Sequence, residues 1–372
     1  MKTIAFFSGY SLPHLGGIER YTDNLSKQLI KKGYRVIDVS SDYQFLNKNI
    51  IEEDNKLKLT IPVRKLFVGR YPIPKKNKIY REVIKRLDKE KIDAIIVNTR
   101  FHLTSLVGAK YGKKHGIPVY LIEHGSQHLT VNNKVLDFLG AIYEHWLTKI
   151  VKKYVNYYYG VSYGACEWQK HFKIKSDGVW YNSINNFSNE LKITRSDSSI
   201  HIFYAGRILK QKGLDRLLDS FCELEKKYSN IKLTIAGDGD QLEYLKSKYK
   251  SKKIDFLGKV DFEKLKELYS NANIFVYAPI WPEGLPTSIL EAGLSGCVVI
   301  GSPQGGIKEI IEDRKNGLMI NTKDELVETL EKLINDNKLR EKYSKNINKT
   351  IREKFLWENT AKKIIDDIEK NR

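Results

Sequence analysis

Short apolar runs alternate with stretches of helical period along this chain, and the whole pattern is laid down twice. Few folds accept that rhythm. Thr3–Ser8 is an apolar run ending in a Gly/Ser turn. After it Ile18, Tyr21, Leu25 and Leu29 recur at helical spacing until Gly33. Val36–Val39, Ala94–Val97 and Val119–Ile122 are further buried-strand runs, with helical patterns at about 77–90 and 102–115 between them. The rhythm restarts at Ile200. Strands are predicted at Ile200–Ala205, Ile231–Ala236, Ile254–Leu257, Ile274–Tyr277 and Val298–Ile300. Helices are predicted at about 212–228, 240–250, 261–270, 286–295 and 306–312. Such alternation builds parallel sheets from βαβ units. The fold class is therefore α/β, with two Rossmann-like, doubly wound domains at 1–184 and 199–354. The polar segment 185–198 reads as a linker. Helical patterns at about 322–335, 338–353 and 356–370 have no strand after them. Domains of this type take ligands at the carboxyl ends of their strands, here in a crevice between the two.

The length, 372 residues, suits two cores. No apolar run approaches the ~20 residues of a membrane span. Ile4–Phe7 is too short for a signal-peptide core of about 7–15 residues. Cys166, Cys222 and Cys297 are odd in number and widely spaced, so neither a disulfide framework nor a cysteine zinc site follows. These features point to the cytoplasm. Charge is the unusual quantity. Residues 1–190 hold 31 Lys and Arg against 17 Asp and Glu, +14 of the chain's +19. The first half either meets something anionic, with nucleic acid or a membrane surface as candidates, or uses the charge merely to stay soluble.

The motifs gather at strand ends. Gly206-Arg207 follows one strand, and Lys212-Gly213 precedes the next helix. Two cations beside a helix start can hold a diphosphate without a metal. Glu283 and Glu291 bracket Gly284, Leu285, Pro286 and Thr287. Pro286 suits a first helical turn, which leaves Glu283 in the loop and Glu291 on the second turn. One carboxylate can then reach a sugar and the other ribose hydroxyls. Gly305-Gly306 follows another strand, where backbone N–H groups can approach a phosphate. In the first half, Gly16-Gly17-Ile18-Glu19 opens the first helix, and Glu123-His124-Gly125 ends a strand. Asp238-Gly239-Asp240 is formally an Asp-x-Asp, but its place after a strand suits a turn, and no metal is expected there.

Taken in order, these residues resemble the retaining glycosyltransferases of family 4, which have the GT-B fold, and the resemblance covers nearly the whole chain. Asn316-Gly317 and the terminal aromatic segment with Phe355 and Trp357 fit as well, while Tyr181-Asn182-Ser183 departs from the family's Pro-Asn-Gly. The resemblance implies that Arg207 and Lys212 hold a donor diphosphate and that Glu291 binds ribose. It implies that Glu283 and His124 contact the transferred sugar, His124 near its anomeric carbon. Gly17, Gly239, Gly284–Thr287, Gly305 and Gly306 would line the donor site. Gly16, Glu19, Arg100 and His102 would lie on the acceptor side. The last helix, from about Phe355, would cross back onto the first domain. No cofactor is implied beyond the nucleotide-diphosphate sugar, a UDP-sugar first and GDP-mannose as alternative. Same-face attack without a metal follows for the chemistry.

Residues 61–91 hold 11 Lys and Arg against 3 Asp and Glu, with Leu66, Phe67, Val68, Tyr71 and Ile73 interleaved. Arg64, Lys65, Phe67, Arg70, Lys75, Lys76 and Lys78 are therefore candidates to meet an anionic bilayer, presenting a saccharide or polyprenyl-linked acceptor of an envelope polysaccharide. No nucleic-acid motif accompanies the charge. Two other classes stay open, a catalytically silent partner subunit and a sugar-nucleotide epimerase. A dinucleotide-binding Gly-x-Gly-x-x-Gly is missing after the first strand. The oligomeric state is left open.

Overall fold

The structure, a computed structural model, describes residues 1–371 except 15, 43–48, 67–70, 131–132 and 197, and leaves the side chains of 65 and 66 undescribed. The chain forms two compact units, Met1–Asn182 with Thr360–Arg372, and Ser183–Asn359.

The first unit contains strands β1 (Thr3–Phe7), β2 (Arg35–Ser41), β3 (Ile50–Glu53), β4 (Lys56–Ile61), β5 (Val63–Leu66), β6 (Tyr71–Pro74), β7 (Ala94–Asn98), β8 (Val119–Glu123), β9 (Tyr157–Gly160) and β10 (Gly178–Val179). Its helices are α1 (Gly17–Lys31), α2 (Lys78–Leu87), α3 (Leu103–His115), α4 (Lys134–Val151) and α5 (Tyr163–His171). Eight strands form one sheet in the order β10-β9-β8-β7-β1-β2-β4-β3, parallel except for β3. Strands β1, β7 and β8 are buried along their whole length. Covered on both faces, they read as continuous apolar runs rather than alternating ones. Helix starts are set locally. Asn77, Asn133 and Ser162 cap α2, α4 and α5 by accepting backbone N–H groups. Val151–Tyr159, a cluster of tyrosines in sequence, is the passage from α4 into β9.

The second unit is a six-stranded, wholly parallel sheet. It is built from β11 (Ile200–Ala205), α6 (Leu214–Leu224), β12 (Ile231–Ala236), α7 (Leu242–Lys248), β13 (Ile254–Gly258), α8 (Phe262–Asn271), β14 (Ile274–Tyr277), α9 (Thr287–Leu294), β15 (Val298–Gly301), α10 (Ile307–Ile310) and β16 (Leu318–Met319). The strand order is β13-β12-β11-β14-β15-β16. Then come α11 (Lys323–Asn335), α12 (Asn337–Lys354) and α13 (Trp357–Lys370). Segment 185–198, expected as a linker, packs onto this unit through buried Phe187 and through Arg195, which donates to the carbonyls of Tyr269 and Ser295.

The end of the chain completes the first unit. Trp180 is fully buried, stacks on Tyr159 at 3.8 Å, and donates its indole N–H to Asp367 at 2.7 Å. Tyr21 donates its hydroxyl to the Trp180 carbonyl at 2.9 Å.

Candidate functional site

In the second unit, β11 runs into Gly206-Arg207, and a 3-10 turn at Lys210–Lys212 leads to α6. Gly213 takes a left-handed φ of 65° between them. This turn sends the Lys212 side chain inward, where the residue is only 6% exposed. Its ammonium donates to the Tyr277 hydroxyl at 3.0 Å and pairs with the Glu283 carboxylate. Burying a lysine is costly unless it is paired, and these two groups are the partners of Lys212. Tyr277 sits at the carboxyl end of β14. Burial, and then the nearby Glu283 charge, push its phenol well above the ordinary range. Tyr204, from β11, donates its hydroxyl to the Arg207 carbonyl at 3.0 Å, which fixes that backbone while the guanidinium is exposed.

Glu283 is held by its loop. The Gly305–Gly306 turn after β15 packs directly on it. A Cβ on Gly305 would lie 1.8 Å from the Glu283 carbonyl oxygen, and Gly305 has φ 52°. The Gly306 N–H donates to the carbonyls of Glu283 and Gly284, both at 3.1 Å. In this structure the Gly306 N–H, expected to face a phosphate, is engaged by the loop. Gly239 acts likewise, since a Cβ there would meet the Ile208 carbonyl at 2.2 Å. Asp238 accepts the Gly239 N–H at 2.8 Å, a turn-forming bond. Pro286 stands at the N-cap of α9 rather than inside its first turn, with Thr287 the first helical residue. Glu291 lies on the second turn and accepts the Tyr269 hydroxyl at 3.0 Å. Leu285 is buried and Gly284 exposed.

The first unit carries its own polar cluster at strand ends. Asn98 closes β7 and His124 follows β8. The Thr22 hydroxyl donates to the Ile18 carbonyl at 2.9 Å, so it must accept from Asn98 Nδ2 at 3.0 Å. Asn98 Oδ1 is then an acceptor, and His124 Nε2 at 2.8 Å carries the proton. The lone pair is left on His124 Nδ1. Burial lowers this imidazole's pKa to about 3, so it is neutral at pH 7. His102 is buried beside Tyr10, Tyr71 and Phe101, and burial lowers it to about 4. Glu19 is buried on the first turn of α1, where it lies over Gly16, while the space above Gly17 is open.

Arg100 departs from its expected place. It is 1% exposed and paired with Glu123 and, at 2.6 Å, with Glu144. Its guanidinium lies over Phe172 at 3.8 Å. Its two guanidinium nitrogens are engaged by these two core carboxylates. The basic segment also differs from expectation. Arg64, Lys75, Lys76 and Lys78 are exposed, but Val63 is buried and Tyr71 and Ile73 are partly so. Tyr71 bonds the Tyr143 hydroxyl at 2.7 Å. Phe67, Arg70 and the Lys65 side chain lie outside the described residues. Among the described residues, an exposed apolar face lies on α4, with Val135, Phe138, Leu139, Ile142 and Trp146. No helix among the described residues is long and apolar enough to cross a membrane.

Sequence reasoning missed Tyr277, Tyr269 and Tyr204, which bond Lys212, Glu291 and the Arg207 backbone, and Asn98, which bonds the neutral His124. Their signal was position alone, since each lies on a strand or helix that ends beside the site.

Two family models match, together spanning most of the chain: Glycosyltransferase Family 4 over residues 15–185 and Glycosyl transferases group 1 over 187–350. An uncharacterized glycosyltransferase of Methanocaldococcus jannaschii is 27% identical over 377 residues, covering 96% of each chain. A Campylobacter jejuni alpha-1,4-N-acetyl-D-galactosaminyltransferase, named for a diNAcBac-PP-undecaprenol-linked acceptor, is 28% identical over 89% of each chain. Among solved structures, Anabaena HepE in complex with UDP superposes over the full length of both chains with a TM-score of 0.74 at 16% identity, a likeness of fold. With the motifs at their strand ends and both halves matched in order, the chain belongs to the group 1, family 4 glycosyltransferases of GT-B fold.

Proposed function

We propose that this glycosyltransferase moves a sugar from a nucleotide-diphosphate sugar, a UDP-sugar in the first instance, to a saccharide or polyprenyl-linked acceptor of a cell-envelope polysaccharide. The anomeric configuration is retained and no catalytic metal takes part. The observation that carries this reading is the buried Lys212, paired with Glu283 and Tyr277. An ammonium has three N–H donors. Tyr277 and Glu283 take two, and the third is available to a phosphate oxygen. Arg207 adds a second, exposed cation. As the bond from the anomeric carbon to the phosphate oxygen breaks, charge collects on the diphosphate, where fixed cations stabilise it most. The acceptor oxygen attacks the vacated face, and its proton passes to the departing phosphate oxygen. Glu283 holds hydroxyls of the sugar, Glu291 the ribose, and His124 Nδ1 accepts from a substrate hydroxyl.

The enzyme works at an anionic membrane on its cytoplasmic face. The support is the basic first half and the exposed apolar face of α4, where Phe138 is 66% and Trp146 57% exposed. The lipid-linked acceptor named for the Campylobacter relative agrees with that setting.

The test is thermal stability in EDTA against UDP-, GDP-, ADP- and dTDP-sugars, since ligands of the native state raise Tm. A UDP-specific rise is expected. A GDP-specific rise would move the donor to GDP-mannose. No rise with any of them would refute the donor site and favour a silent partner subunit.

A further inference from the structure

Three histidines from three separate segments converge in the first unit. His128 follows β8, His145 lies on α4, and His171 ends α5. One ring nitrogen of each lies within 4.8 Å of the others, and the Nε2 atoms of His145 and His171 are 3.1 Å apart. Three imidazoles turned together on a chain of net charge +19 repel one another when protonated; when neutral, His145 and His171 share one proton in the Nε2–Nε2 hydrogen bond, which a cation held by both rings can replace. His128 is oriented from behind. Its Nδ1 meets the Glu144 carboxylate at 3.1 Å, which puts the proton on Nδ1 and the lone pair on Nε2. Glu144 is itself fixed, 2% exposed, paired with Arg100 at 2.6 Å and accepting the Leu129 N–H at 3.0 Å. A carboxylate behind an imidazole is the arrangement that orients metal-binding histidines. Trp168 stacks on His171 with ring centroids 4.7 Å apart, and Phe172 packs against His128 and His145, which gives the cluster an apolar wall.

We propose that His128, His145 and His171 bind one divalent cation of the zinc type, with water in the fourth position. Tetrahedral zinc, with Zn–N bonds of about 2.0–2.1 Å, sets its ligand nitrogens roughly 3.3 Å apart. Small ring movements complete that geometry. The ion ties the segment after β8 and the end of α5 to α4, and so fixes the helix that carries the exposed apolar face. The site is separate from the residues assigned to the donor and stands whether or not that assignment holds.

The experiment uses the full chain without a polyhistidine tag, and Zn²⁺ alone. Equilibrium dialysis is expected to give one equivalent, with a rise in Tm that EDTA reverses. Co²⁺ is expected to give the visible absorption of a tetrahedral site. H145A and H171A, both at exposed positions, are expected to lower affinity roughly 10–100-fold or more while keeping the wild-type Tm in EDTA. Absence of stoichiometric binding, or binding unchanged in the H145A/H171A double variant, would overturn the proposal.

Discussion

Arg100→Met separates a structural role for this residue from an acceptor-binding one. Its guanidinium, 1% exposed, meets two carboxylates, Glu123 and Glu144, that are 0% and 2% exposed. Methionine keeps much of the volume against Phe172 but removes the charge. Breaking a buried pair by deleting one partner costs about 3–5 kcal/mol, because the other charge is left uncompensated. For a unit of this size that lowers Tm by roughly 6–20 °C. The pH dependence gives a second signature. Burial raises the Glu123 pKa above its ordinary value, and Arg100 pulls it back down. Without Arg100 the folded pKa rises further, so the folded state increasingly favours the protonated form. The loss is therefore small below the folded pKa of the wild type, grows between that value and the higher folded pKa of the variant, and levels off above it. Thermal melts of wild type and R100M from pH 4 to 8 read this directly. A loss below about 1 kcal/mol at pH 7, against the 3–5 kcal/mol worked above, would refute the argument, as would a loss that does not diminish toward pH 4. An unchanged Tm with a raised KM for acceptor would restore the acceptor role.

Removing Lys212 or Glu283 by alanine is expected to lower the transfer rate by about 10²–10³-fold, the scale of losing a fixed electrostatic group. Full activity in either folded variant would remove it from the site. Gly305→Ala forces a side chain against the Glu283 carbonyl and into a left-handed φ, at a cost of about 1–3 kcal/mol. Unchanged melting and turnover would mean that the turn does not hold Glu283. His124 and His102 have folded pKa values lowered to about 3 and about 4. Their contribution is full above the unfolded value near 6.5 and is lost as pH falls toward the folded values. H102N and H124N should flatten the loss of stability between pH 6.5 and 4, and unchanged slopes would contradict the assignment. Flotation with anionic liposomes should fall as salt rises and should weaken in an F138S/W146S double variant. Retention by that variant would move the membrane contact away from α4.

What was legible in the sequence followed burial on both faces. Strands such as β1, β7, β8 and β11 show as bare apolar runs because every residue is inside. The pair β5 and β6 did not show, since proline and arginine interrupt the apolar alternation. Helix α4 escaped because its apolar residues lie on more than one face, so no single buried stripe appears. Glycines drew attention as ligand cradles, yet Gly306 and Gly239 are needed where one backbone presses on another. A sequence shows that space is required at such a point but not what fills it. Arg100 looked like a recognition residue only because its partners, Glu123 and Glu144, come later in the chain.

The pairing of Trp180 with Asp367 has a consequence for synthesis. The ribosome releases residues in order, and domains generally fold as they emerge. Here the first sheet is complete by Val179, but Asp367, which accepts the Trp180 indole N–H, follows 187 positions later. Throughout the translation of the second unit, the nascent first unit must keep one indole edge unsealed. A stop codon anywhere before Asp367 would thus damage the beginning of the protein rather than its end.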